Sequence, residues 1–129
     1  MTAPSTRDDT PPAGTTLDAA ALARLRELDP DGRTGVMQRV MRTFDTSLAQ
    51  TLGAMTLAGQ RGDAIELRHL AHTLKSSSAS VGALELSQAC ARLEVLARDN
   101  RAMDIPAALA ELLSAGAMAQ HAVRVLLRR

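Results

Sequence analysis

The chain has 129 residues, 46% of them hydrophobic, which is enough for one domain with a real core. One Phe with no Trp or Tyr leaves little from which to build β-structure, while Ala, Leu, Arg, Glu, Gln and Met favour helix, so the expected fold is all-α. A formal net charge of +1 and the lack of stacking aromatics argue against a nucleic-acid partner.

Residues 1–15, rich in Thr, Pro, Asp and Gly, read as a disordered tail, and 16–129 as one domain. The opening MTAPSTRDDT has no apolar run of the kind a secretory signal needs. A short helix is expected over 17–28, with Thr16 as N-cap and Asp29-Pro30-Asp31-Gly32 as its stop. The second helix is expected over 34–58, because Val36, Val40, Phe44, Leu48 and Leu52 recur every four residues, with Met37, Met41 and Met55 alongside as core filler. Gly59 to Gly62 forms the turn out of it.

The third helix is expected to start near Asp63 and reach Ser80, with Val81-Gly82 as a cap that tolerates left-handed backbone. The fourth covers 84–98 and ends at Asp99-Asn100, with Cys90 on its buried face beside Leu86, Leu93 and Ala97. The fifth opens at Asp104, carries Pro106 in its first turn and runs to Leu127. Four helices joined by short turns favour an antiparallel up-down-up-down four-helix bundle, with the short additional N-terminal helix capping one end. The apolar 105–127 segment contains Glu111, Gln120, His121 and Arg124, which a membrane span would not carry, and the single Cys90 suits a reducing compartment. A soluble, cytoplasmic protein is expected.

On a wheel of about 100° per residue, Leu67, Leu70, Ala71, Leu74, Ser78 and Val81 share one stripe of the third helix. His72 falls well outside it, with Arg68 and Lys75 to one side, His69 and Ser76 to the other, and Ile65 and Ala79 along the axis. A solvated imidazole is largely neutral in the cell and therefore nucleophilic. Lys75, one turn on, places a flexible ammonium where an anion on the ring would sit, and phosphoryl is the obvious anion. Of fifteen basic residues fourteen are Arg, and the one Lys stands three residues after this histidine. Small neighbours, Ser76 and Ala79, leave the ring above a low surface that a partner protein can approach. An exposed histidine is more often only a solvated side chain. The His69–His72 spacing makes a poor metal pair without a nearby carboxylate, and a serine hydrolase would need a Gly-rich elbow that is missing.

The stretch AHTLKSSSASVGA, 71–83, resembles the signature of histidine phosphotransfer (HPt) domains, H-x-L-K-G-S/A-S/A followed by a small or apolar pair containing Gly. His72, Leu74, Lys75, Ser77, Ser78 and Gly82 match it, and CARLEVLAR, 90–98, resembles the family's next helix. The core of the resemblance spans 64–98, and the helix plan extends it over most of 16–127. It implies a monomeric four-helix bundle that takes a phosphoryl group on Nε2 of His72 from a receiver-domain aspartate or a hybrid histidine kinase, and passes it to a response regulator. Glu94 matches the family position that accepts the Nδ1 proton, Lys75 would offset the phosphoryl charge, and Arg68, His69 and Ala79 would lie in the docking surface. Mg²⁺ would belong to the receiver, so no cofactor is expected here. Ser76 departs from the pattern, where Gly is usual, and its hydroxyl is placed to crowd the site or to donate to a phosphoryl oxygen. A helical module that docks a receiver or another helical protein without carrying phosphate is the alternative. A sensor kinase is disfavoured, because neither its histidine box nor a nucleotide-binding domain is present.

Overall fold

The computed structural model describes residues 17–128, and these form five α-helices with no strand among them. They are α1 (Ala19–Glu27), α2 (Val36–Gln60), α3 (Ala64–Ser80), α4 (Leu84–Arg98) and α5 (Ile105–Leu127). The expected tail, 1–15, and the expected cap Thr16 lie outside the described residues.

Three of the four connections are built alike. A residue with positive φ follows the last turn of α2, α3 and α4: Gly62 at 66°, Gly82 at 85° and Asn100 at 56°. In each case the next amide reaches back to a helix carbonyl, Asp63 to Ala58 at 2.9 Å, Ala83 to Ser78 at 2.8 Å and Arg101 to Leu96 at 2.9 Å. These are Schellman closures, which satisfy the orphan carbonyls at a helix end and turn the chain sharply. Asn100 manages the same geometry because Asn visits the left-handed region more readily than other side chains.

Helix starts differ from expectation in two places. Asp18 is the N-cap of α1, its carboxylate accepting the Ala21 amide at 3.0 Å, and Asp is a stronger cap than Thr. Helix α2 begins at Val36, two residues later than expected, because Asp29 accepts the Thr34 amide at 3.1 Å and the Val36 amide at 3.4 Å while Gly35 sits at φ 66°. Asp63 caps α3 through the Glu66 amide at 3.1 Å, and Pro106 stands in the first turn of α5 as expected.

The core lies between α2, α3, α4 and α5. Helix α3 packs on α2 and, most extensively, on α4; α5 packs on both α2 and α4; and α1 rests on α2. Along α2 and α5 the partners run in opposite order, Asp45 meeting Arg124, Leu52 meeting Gly116 and Gly59 meeting Leu109. The α2 pattern holds in part: Phe44 and Leu48 of the every-fourth row are buried, as are the core fillers Met41 and Met55, while Val36, Val40 and Leu52 are only half-buried. Four residues turn about 400°, so such a row drifts about 40° per step and its ends leave the core, where Met41 and Met55 complete the buried stripe. On α3 the expected stripe holds, with Leu67, Ala71, Leu74 and Ser78 buried and Leu70 half-buried.

Two packing details carry predictions. A Cβ on Gly82 would come within 2.8 Å of the Asp18 backbone nitrogen, and Asp18 N–H donates to the Gly82 carbonyl at 2.8 Å, so α1 is seated directly on the α3–α4 turn. Gly82→Ala adds a strained positive φ to that clash and should cost about 1–3 kcal/mol, read as a lower denaturant midpoint. An unchanged midpoint would mean that α1 is not seated there. Ser78 buries a hydroxyl that has no partner among the described residues. Removing an unsatisfied buried hydroxyl is favourable, so Ser78→Ala should raise stability by about 1 kcal/mol in the same assay.

No described helix is long and apolar enough to cross a membrane.

Candidate functional site

The site is built where α3 and α4 face each other. His72 projects from α3 with 66% of its side chain exposed, opposite to the buried Leu67–Ser78 stripe. Glu94, on the third turn of α4, comes up beside it and is only 18% exposed. One of its carboxylate oxygens, Oε2, lies 2.8 Å from His72 Nδ1; the other, Oε1, accepts from Lys75 Nζ at 2.6 Å. One carboxylate thus bridges the imidazole and the ammonium.

Its protonation decides the chemistry of the ring. The Lys75 hydrogen bond, and behind it the one to His72, hold the Glu94 carboxyl below the usual glutamate range against the opposing effect of burial. An ionised carboxylate can only accept, so the hydrogen at Nδ1 belongs to the imidazole, and the neutral ring carries its lone pair on Nε2. The nucleophilic nitrogen is therefore the one turned away from Glu94.

The same arrangement predicts a pH dependence of stability. A carboxyl lowered in the folded state contributes stability that is complete above its unfolded value and disappears as pH falls through the folded one. Between about pH 6 and about pH 3 the wild type should lose more stability than Glu94→Gln, measured by denaturant midpoints. Equal losses would mean that the bridge contributes nothing to the fold.

Each residue singled out from the sequence has a definite place. Arg68, His69, Ser76 and Ala79 are exposed on α3 around His72, and Ile65 is exposed further along it. The Ser76 carbonyl accepts from Ser80 Oγ at 3.0 Å and the Leu74 carbonyl from Ser77 Oγ at 3.2 Å, so the serine run is helix whose hydroxyls fold back onto its own backbone. No hydrogen bond of the Ser76 hydroxyl is found among the described residues. The Lys75 ammonium is engaged by Glu94, which offers it a full charge within reach across the helix pair.

Ser87 was not legible. Its hydroxyl donates to the Lys75 backbone carbonyl at 2.9 Å and so ties the start of α4 to α3 one turn from His72. In sequence it is one polar residue in the first turns of a helix, and only the helix pairing reveals its role. Cys90, one turn before Glu94, is buried, and burial first, then the charge of Glu94, pushes its thiol up to about 12. It stays a protonated core residue. Among the described residues no group of three or more His, Cys, Asp or Glu is placed to hold a metal.

Comparison with known proteins fits this geometry. The Hpt domain model matches residues 39–124, which include both α3 and α4 in full. Among solved structures the chain is similar to the crystal structure of histidine-containing phosphotransfer protein B from Pseudomonas aeruginosa PAO1, at 30% identity and a TM-score of 0.78, over 88% of this chain and 95% of that one. No curated protein matches. With a family model covering most of the chain and a similar solved structure over nearly all of it, the chain belongs to the Hpt domain family, the histidine phosphotransfer proteins of phosphorelays.

Proposed function

We propose that His72 is the phosphoacceptor and that Nε2 is the atom that carries the group. The observation that supports this most strongly is the 2.8 Å contact of Nδ1 with Glu94 on a ring that is otherwise largely exposed. In the transfer the Nε2 lone pair forms the N–P bond. The P–O bond of the receiver's aspartyl phosphate breaks, its electron pair returns to the aspartate, and the proton on Nδ1 stays facing Glu94. Glu94 orients the ring and stabilises the cation it becomes. Lys75 and Ser76 stabilise the phosphoryl oxygens, the first by charge and the second by its hydroxyl.

Arg68, His69 and Ala79 belong to the surface on which a receiver domain, of a response regulator or a hybrid kinase, is seated. Mg²⁺ is the receiver's contribution, and this chain needs no cofactor of its own. The domain spans 16–129 as an antiparallel up-down-up-down bundle with α1 across one end, a reading supported by the opposed order of contacts along α2 and α5 and by the seat of α1 on the α3–α4 turn. It acts as a monomer in the cytoplasm.

Incubation with receivers charged by acetyl phosphate tests the reading. A cognate receiver should pass on an acid-labile, alkali-stable label. Binding without label, from every receiver of the source cell, would favour a docking module that carries no phosphate.

A further inference from the structure

Lys75 is held in a way that binding phosphoryl oxygens alone would not require. Its root is fixed, because Ser87 Oγ donates to its backbone carbonyl from α4 at 2.9 Å. Its tip is committed to Glu94 Oε1 at 2.6 Å, on the same carboxylate whose other oxygen accepts from His72 Nδ1 at 2.8 Å. The side chain is 35% exposed, so its ammonium end is the part able to move.

The charges at this site change during transfer. Beforehand the ring is neutral, and the single negative charge of Glu94 is offset by Lys75. Afterwards the ring is a cation through its retained Nδ1 proton and carries a dianionic phosphoryl group on Nε2, while the receiver aspartate departs with one negative charge. Glu94 then faces a cationic ring as well as an ammonium, and the phosphoryl oxygens need a cation. We infer that Lys75 is a positioning residue that exchanges partners during transfer, leaving Glu94 for the phosphoryl oxygens so that Glu94 is matched by the ring and the phosphoryl group by Lys75. Before transfer it acts through Glu94, keeping the carboxylate aimed at Nδ1; after transfer it acts on the product. The inference rests on His72 as phosphoacceptor.

The exchange has a signed consequence. Removing Lys75 weakens the phosphorylated state by the lost phosphoryl contact, but it also weakens the unphosphorylated state by the lost Glu94 contact, and the two effects partly cancel. Without the Glu94 charge the second effect is gone. The test is a double-mutant cycle on the equilibrium between a phosphorylated receiver and this chain, using Lys75→Gln, Glu94→Gln and the double variant. Lys75→Gln should lower the ratio of phosphorylated to free His72 about threefold or more beyond its wild-type effect when made in the Glu94→Gln background. An equal or smaller effect there would overturn the exchange, since a lysine serving the phosphoryl group alone is indifferent to Glu94. Should Glu94→Gln disturb the fold, Glu94→Ala supplies a second background in which the same inequality is required. A wild-type chain that accepts no label at all would instead overturn the assignment of His72.

Discussion

His72→Gln is expected to abolish phosphoryl acceptance from every charged receiver while leaving helicity and the unfolding midpoint nearly unchanged. The two halves of this result come from different parts of the structure. Acceptance fails because an amide offers no nitrogen lone pair of comparable nucleophilicity, and the neighbouring imidazole of His69 has no carboxylate bonded to its ring among the described residues to orient it as Glu94 orients His72. Lys75 is a cation, Glu94 is ionised and bridged, and Cys90, one turn before Glu94 on α4, is buried as a protonated thiol. Stability survives because the ring is largely exposed, and exposed substitutions away from the core stay within about 0.5 kcal/mol. Labelling is followed with radioactive phosphate and the fold by circular dichroism. A variant that kept its label would move the acceptor elsewhere on the chain.

Glu94→Ala has the second largest expected effect, a slowing of transfer by about 10- to 100-fold, the range seen when the acceptor behind a metal-bound imidazole is removed. Two contributions vanish together: the acceptor that keeps the hydrogen on Nδ1, and the negative charge that stabilises the cationic ring as the N–P bond forms. Some rate remains, because a solvated imidazole still presents Nε2 in part of its population. Rapid-quench transfer from one charged receiver measures the effect, and an unchanged rate would leave Glu94 as an ordinary boundary carboxylate. The loss is not one of folding. The Lys75 side chain is about a third exposed, and a pair of that kind contributes at most about 1 kcal/mol.

Much of this site was legible because helical geometry is periodic. The wheel that put Leu67, Ala71, Leu74 and Ser78 inward necessarily put His72 outward, and Gly82 announced its own positive φ. On α2 the same reasoning holds at the centre, where Phe44, Leu48, Met41 and Met55 are buried, and weakens at the ends of the every-fourth row, where slow drift leaves Val36, Val40 and Leu52 half-buried. What periodicity does not encode is register between helices. Glu94 was reached through a family resemblance, not through spacing. Its bridge to Lys75 and the clasp from Ser87 to the Lys75 carbonyl depend on how α3 and α4 are offset, which no single-helix pattern contains. The serine run shows the reverse case: by composition it looks like a linker, yet it is helix, because Ser77 and Ser80 bond to carbonyls one turn back and Ser78 turns into the core.

The most direct test of the account is which ring nitrogen carries the phosphoryl group. Phosphorus NMR on the phosphorylated chain, with nitrogen-15 in the histidine ring, distinguishes the two isomers. Substitution at Nε2 of His72, with the hydrogen retained on Nδ1, is the predicted result, since Nδ1 lies 2.8 Å from Glu94 Oε2 on a ring that is otherwise largely exposed. Phosphoryl at Nδ1, or on His69 or His121, would contradict it.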